Sequence, residues 1–593
     1  MPRKALFAVL FLSLAATAYG DCPDHGRGDC HDHSARWERS DDGGGQGRLI
    51  QPPTPTLSVT ASQFTQMLLG SGSNGRALLA LSTEGPGGPA PLPCGVAVYH
   101  YGYSSVDGRG RPATATGALM LPTGSKATCS GARPLLEYAH GTNLDRSYDI
   151  AALNDPANPA FSESALIAAM YAAHGYIVVA PNYVGYDTSD VHYHPYLVKA
   201  QQSRDMIDAL HAARIALHRL DDVDGAPGPE GLDARAFPNH QLFLTGYSQG
   251  GYVAMATEQA MQRRGIHVTA ASPGSGPYAL AALVDYIFLG HPDLGAPSLG
   301  SLLLEGYQHS YGNVWTSPSQ VFANGLYTPL PYATAAAAAS SPLAANPPMF
   351  DALAPSLADI TVMPSDAPPS ADATLQAMFP ATVLPAGATY ITPDAAVISQ
   401  PVWTGLFDTT GAASPYAPHN AYGSAFLPLW ASSFSPSGTQ DLITRSYRAD
   451  YLADALLNPD GLFERGDSGM PSRSATNGLR KDLAANDLRG YVPRAPTMLC
   501  GGSADPIVYY PLDTAVMQSE WGTPTPTRFS LDVDPQSAAG SSGPSAPFQA
   551  LQQSFQAWKA STAAVSPLAE LEGYHGAVGE YCALAAREFF AQF

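Results

Sequence analysis

The amino-acid sequence predicts an α/β protein, a mostly parallel sheet with helices on both faces and a large inserted, mainly helical cap. Three observations carry this prediction. Between residues 134 and 272, short unbroken apolar runs alternate with helical patterns, as strands buried on both faces alternate with their crossover helices. The same alternation resumes after residue 490. Between the two stretches, residues 273–490 lose it: they hold an Ala/Pro-rich segment (333–348), scattered Tyr, Trp and Phe, and amphipathic pieces such as 283–290 and 448–457. The core is therefore expected in two parts, 51–272 and 491–593, with 273–490 as the insert.

Composition narrows the function before any motif does. The chain has 593 residues with 30 Lys plus Arg against 50 Asp plus Glu, a net charge of −20. Binding nucleic acid requires a cationic surface that displaces counterions from phosphates, so no nucleic-acid partner is expected. A hydrophobic content of 45% supports a packed core, and 56 Gly with 53 Pro predict long irregular connections.

From the N-terminus, Arg3 and Lys4 precede an apolar stretch, Ala5 to Ala16, and small residues follow. This is the pattern of a secretory signal peptide over 1–20, too short for a membrane span and without flanking stop-transfer charges. The protein is expected to be secreted, with no stable membrane insertion. Residues 21–50 are polar, Gly-rich and aperiodic, and read as a tail. His25, His31 and His33 within it read as solvated residues, because no liganding pattern recurs; no metal and no other cofactor is expected. In an oxidising compartment six cysteines imply disulfides, and fifteen pairings are possible. Proximity favours Cys22–Cys30 and Cys94–Cys129, leaving Cys500–Cys582.

The next elements follow in order. Residues 96–106 and 114–122 alternate as antiparallel strands around a turn at Asp107-Gly108-Arg109-Gly110. The apolar run 134–140 is a strand, 162–175 a helix ending at His174 before a capping glycine, 176–183 a buried strand and 204–220 a helix. Strand 241–247 runs into helix 252–264. In the second part, 494–506 is a strand with an acidic turn, 511–522 a helix, 527–534 a strand, 548–560 a helix and 574–590 the terminal helix.

Chemistry concentrates at Gly246-Tyr247-Ser248-Gln249-Gly250, the one G-x-S-x-G of the chain. The five-residue pattern is common by itself, but its setting is not. A strand delivers the serine, a helix leaves it, and only glycines let the neighbouring backbone pass so close to the turn. The helix N-terminus then directs free N–H groups at a developing oxyanion. A serine hydroxyl needs a base, and the base needs an acid to hold its tautomer. Asp505, in an acidic turn just past an apolar strand, fits the acid; Asp513, Asp532 and Asp534 are rivals that read as a helix face and strand-end solvation. His575 sits between glycines near the C-terminus and is the only histidine after His419, hence the only one downstream of Asp505, which fits the base. His140-Gly141-Thr142 follows the 134–140 strand, and the Thr142 N–H is expected to complete an oxyanion hole with the N–H of Gln249. His192 and His194 read as a pocket-edge loop.

The segments EYAHGTN, YIVVAPNYVGYDTS, HPYL, GYSQGG, SGPY, GGSADPIVYY and GYHG together resemble the exported bacterial esterases and lipases of the α/β-hydrolase superfamily, and most closely the lipase A-like secretory lipase group. The resemblance covers 95–280 and 485–593. It implies an α/β-hydrolase fold and a serine carboxylic ester hydrolase acting on a small or lipid-like ester through acyl-Ser248. The stretch between Asp505 and His575 is longer than the family pattern, and the 21–50 tail has no counterpart there. Two alternatives share the scaffold: an exported serine peptidase, for which no charged anchor for a substrate terminus is apparent, and a non-catalytic binding module, which the intact Ser–Asp–His order disfavours.

Overall fold

Nine strands make one sheet in the computed structural model, which describes residues 47–83, 91–222, 236–288, 296–322, 388–390, 443–458, 463–465, 474–535, 546–565 and 567–593. They are β1 (Leu49–Val59), β2 (Gly95–Val106), β3 (Pro112–Thr123), β4 (Gly131–Ala139), β5 (Ile177–Pro181), β6 (Ala236–Tyr247), β7 (Ala270–Gly274), β10 (Thr497–Gly501) and β11 (Arg528–Asp532). Two short strands, β8 (Ala388–Tyr390) and β9 (Phe463–Arg465), pair separately. The spatial order is β1-β2-β3-β5-β4-β6-β7-β10-β11. Antiparallel pairing joins β1, β2, β3 and β5, and every later neighbour is parallel.

Successive strand residues face opposite layers, which is why the apolar runs are unbroken. Leu136, Val178 and Phe243 enter one core layer, whereas Leu135, Val179 and Leu244 enter the other. Helices α4 (Lys199–Asp222) and α5 (Gln249–Arg264) pack together on one face. Helices α2 (Gly72–Thr83), α3 (Phe161–Met170) and the C-terminal α12 (Pro567–Phe590) pack together on the other. The remaining helices are α1 (Ala61–Gly70), α6 (Leu280–Phe288), α7 (Ala296–Tyr311), α8 (Arg445–Leu457), α9 (Gly478–Asn486), α10 (Thr514–Trp521) and α11 (Ala546–Val565). Among the described residues no helix is long and apolar enough to cross a membrane.

Two boundaries move. The sheet begins at Leu49, inside the stretch read as tail. That strand lies at the sheet edge, half-exposed, and carries Pro52, Pro53 and Pro55, which an edge tolerates because it leaves N–H groups unused. At the other boundary, Pro273 and Gly274 close β7 rather than opening the insert, in parallel register with β6 and β10. Between β7 and β10, helices α6, α8 and α9 are held by a buried charge cluster. Arg480, fully buried, lies 3.0 Å from Asp454 and 3.4 Å from Asp285, while the Tyr451 hydroxyl donates to Asp285 at 2.6 Å. The Ala/Pro-rich 333–348 segment lies outside the described residues.

Disulfides join Cys94 to Cys129 and Cys500 to Cys582, the latter tying β10 to α12. The signal segment, the tail histidines and Cys22–Cys30 lie outside the described residues.

Candidate active site

Strand β6 ends at Tyr247 and α5 starts at Gln249, so Ser248 alone occupies the corner. Its φ of 59° and ψ of −123° are a strained combination for a residue with a side chain. The surroundings hold it there: its N–H donates to the Gly274 carbonyl at 3.0 Å, and its own carbonyl accepts from Tyr252 N–H at 3.2 Å. The motif's glycines are required by close approach. A Cβ on Gly250 would fall onto the Ala139 carbonyl oxygen, and one on Gly246 onto the carbonyls of both Gly250 and Ala139.

Asp505 and His575, 70 residues apart, meet beside this corner. Asp505 follows β10 in a tight turn and is almost fully buried. Its Oδ1 accepts the N–H groups of Ile507 (3.0 Å) and Val508 (3.1 Å), and its Oδ2 accepts the Ser275 hydroxyl at 3.2 Å. His575 Nδ1 donates to the same carboxylate, 2.8 Å from Oδ2 and 2.9 Å from Oδ1. Nδ1 therefore carries the proton and Nε2 a lone pair. Nε2 is buried, and among the described residues nothing hydrogen-bonds it, Ser248 Oγ included.

His575 lies inside α12, the helix expected over 574–590. A Cβ on Gly579, one turn further along, would come within 2.7 Å of the Tyr247 ring, so this helix face is kept bare for the tyrosine of the G-x-S-x-G motif; of the two glycines that flank His575, Gly573 faces the Trp558 ring at ordinary contact distance and Gly576 faces open space. The Tyr247 hydroxyl donates to the His575 carbonyl and lies 2.9 Å from Nδ1. Burial and the Asp505 charge push the Tyr247 pKa well up, so it remains a neutral donor.

The His140-Gly141-Thr142 loop is pinned from below. His140 is fully buried between the rings of Tyr148 and Tyr183, with centroids 4.4 Å and 4.1 Å away. Its nitrogens face the Gly141 (2.7 Å) and Asn182 (3.0 Å) carbonyls, and burial lowers its pKa. Glu163 accepts from the Gly141 N–H (2.9 Å) and from the hydroxyls of Tyr138 (2.9 Å) and Tyr148 (2.7 Å). The Thr142 hydroxyl is paired with that of Tyr196 at 2.8 Å. Among the described residues the backbone N–H of neither Thr142 nor Gln249 donates to a protein acceptor.

His194 is buried in the interior rather than at a pocket edge. Its Nδ1 donates to the Val184 carbonyl at 2.9 Å, leaving Nε2 to accept from the Gln249 side-chain amide at 2.5 Å. Burial lowers its pKa to about 3, so the acceptor persists at any ordinary pH. His192, by contrast, meets Arg146 near the surface. The three rival aspartates are structural rather than solvated. Asp513 accepts the Ala279 N–H at 3.0 Å, Asp532 the Ser503 N–H at 3.0 Å, and Asp534 both the Tyr574 hydroxyl (2.6 Å) and Lys559 (2.7 Å).

Ser248 and Gln249 open into a cleft. The stretch between β7 and β10 supplies most of its wall, through Leu280, Val284, Phe288 and Leu304, and Ile507 and Val508 close it beside the Asp505 turn. No charged side chain lines it among the described residues. Ser275, Glu163 and Asn182 were not singled out from the sequence. Ser275 heads the SGPY segment, which was a usable signal; the other two are visible only through contacts distant in sequence.

No family model matches the chain, and no curated protein matches it. Among solved structures it is similar to a ligand-bound form of the rice cell wall degrading esterase LipA from Xanthomonas oryzae, at 21% identity and a TM-score of 0.52, over 92% of this chain and 98% of that one. Another crystal structure of the same esterase gives 20% identity and a TM-score of 0.53, over 93% and 99%. Together with the sheet order, this likeness establishes the α/β-hydrolase fold.

Proposed function

We propose that the protein is an exported serine carboxylic ester hydrolase. Ser248 Oγ attacks the ester carbonyl while His575 Nε2 takes its proton, and Asp505 keeps the imidazole in the Nδ1–H tautomer and balances the imidazolium that forms. The N–H groups of Gln249 and Thr142 receive the carbonyl oxygen as it becomes an oxyanion. Collapse expels the alcohol, protonated by His575, and leaves acyl-Ser248. A water deprotonated by His575 then releases the acid and restores the serine.

The observation that carries this reading is the buried Asp505–His575 hydrogen bond next to the strained Ser248 corner, with an unpartnered Nε2 lone pair on the imidazole. The Ser248 Oγ to His575 Nε2 contact is the one that substrate binding has to close; such contacts are often long in an empty site. The uncharged cleft favours an apolar acyl group over a substrate whose charged terminus needs an anchor, and so an ester over a peptide. Likeness to a protein described as an esterase points the same way. Export rests on the signal-like 1–20 segment together with the two bridged cysteine pairs.

The test combines labelling with turnover. A fluorophosphonate should modify Ser248, and p-nitrophenyl esters should be cleaved far faster than aminoacyl anilides. Ser248→Ala and His575→Ala should each lower ester turnover by several orders of magnitude. Full turnover in Ser248→Ala, or label on a different residue, refutes the assignment.

A further inference from the structure

On the antiparallel side of the sheet, three side chains of ligand type converge without any part in the Ser248 chemistry. They are His100 on β2, Asp149 on the loop after β4, and Asp187 on the loop after β5. One nitrogen of His100 and one oxygen from each carboxylate lie within 4.8 Å of one another. His100 Nε2 is 2.9 Å from Asp187 Oδ2, which also accepts the Thr116 hydroxyl at 2.7 Å. Asp149 Oδ1 accepts the Ala151 N–H (2.9 Å) and Asn182 Nδ2 (3.0 Å), while its Oδ2 accepts nothing among the described residues.

Two further features distinguish this cluster from a chance ion pair. Asn182, fully buried, donates to both Asp149 and Thr116 and so orients both carboxylates, one directly and one through the threonine hydroxyl. Outer partners of this kind are how metal ligands are held in place. Asp187 is itself held at a φ of 48°, in the left-handed region, with its N–H fixed to the Arg146 carbonyl at 2.7 Å. The Arg146 guanidinium is engaged with the Ser189 carbonyl and His192.

We propose that His100, Asp149 and Asp187 bind a divalent cation of the zinc class, with water completing the coordination. An imidazole with two carboxylates suits zinc, whereas calcium and magnesium prefer all-oxygen sets. Bonds of about 2.0–2.1 Å in a tetrahedral site put ligand atoms roughly 3.3 Å apart, so the side chains need close by only about 1–1.5 Å. His100 must bind as neutral imidazole, and any proton it shares with Asp187 goes to solvent. The cation would bridge the loops carrying Asp149 and Asp187 to β2. Because the Asn182 carbonyl lies 3.0 Å from the His140 ring, the cation would also stiffen the support of the Gly141-Thr142 loop.

The full chain, stripped with chelator and dialysed, is titrated with zinc chloride. Tightly held zinc is counted after desalting, and the melting temperature is followed. His25, His31 and His33 are competing ligands, so the decisive quantity is a difference between variants. Asp149→Asn and Asp187→Asn should each lose one equivalent or bind it at least tenfold more weakly, with His100→Gln as the replacement if either fails to fold. A variant with His25, His31 and His33 all changed to Ala should keep that equivalent and its gain in melting temperature. Equal zinc content in the chain and its aspartate variants overturns the proposal, as does loss of all tight zinc with the three tail histidines. Preferential binding of calcium in a parallel titration overturns the assignment of cation class.

Discussion

Removing the Cys500–Cys582 bridge should loosen the edge of the sheet that carries Asp505 and His575 before it unfolds the molecule. Cys500 lies in β10, five residues before Asp505; Cys582 lies in α12, two turns past His575. The same edge holds β7, since Ser275 N–H donates to the Cys500 carbonyl at 2.7 Å, and a Cβ on Gly274 would sit 3.5 Å from Cys582 Cβ. The bridge closes a loop of 82 residues. The chain-entropy relation then gives an unfolded-state cost of about 15 cal/mol/K, or roughly 4.5 kcal/mol at 25 °C, an upper figure because denatured chains retain structure. The double variant Cys500→Ala/Cys582→Ala removes the bridge without leaving a thiol to mispair. Its melting midpoint by circular dichroism should fall by several degrees, and ester turnover after brief heating should be lost below that midpoint. A midpoint within one degree of the parent, with the same heat inactivation, refutes the reasoning. Alkylation of either cysteine in unreduced parent protein does so more directly.

Other consequences are tested with single changes. Gly250→Ala drives a methyl onto the Ala139 carbonyl, so turnover should collapse through displacement of the Ser248 corner, and a variant with parent turnover argues against that packing. Glu258, fully buried and hydrogen-bonded only by Thr497 at 2.8 Å among the described residues, has its pKa raised to about 8 by burial against 4.5 for an ordinary glutamate. The folded state holds a proton between those values that the unfolded state has released, so this group's contribution is full below pH 4.5 and is lost as pH rises to 8. Glu258→Gln should therefore lose less melting temperature than the parent between pH 5 and pH 8, and an unchanged slope contradicts the assignment. Arg480→Ala strands Asp285 and Asp454 without their buried counter-charge, at a cost of about 3–5 kcal/mol, measurable by denaturant unfolding. Parent-like stability would mean that the insert is not anchored there.

What could be read in the sequence divides according to where the physical constraint acts. Ser248 was readable because its requirements are local: a strained corner needs glycines at 246 and 250, an apolar strand before it and a helix after it, all within one stretch of chain. Asp505 and His575 were readable for a different reason. Few candidates existed, one histidine after His419 and one acid in a turn beyond an apolar strand, so order along the chain replaced geometry. That substitution has a limit, and His575 marks it. One turn beyond it, Gly579 is bare because the Tyr247 ring packs there, a fact about a residue more than three hundred positions away. Edge strand β1 was hidden for the converse reason, since half-exposed residues and prolines remove the apolar pattern that announces a strand. The same logic explains the buried acids. Asp513, Asp532 and Asp534 follow the composition of solvated turns, yet each satisfies a backbone or side-chain donor from another segment, and nothing in their own stretch of sequence distinguishes that duty from solvation. His100, Asp149 and Asp187 are the extreme instance, three unremarkable residues on three segments whose common purpose exists only once β2, β3 and β5 are in register.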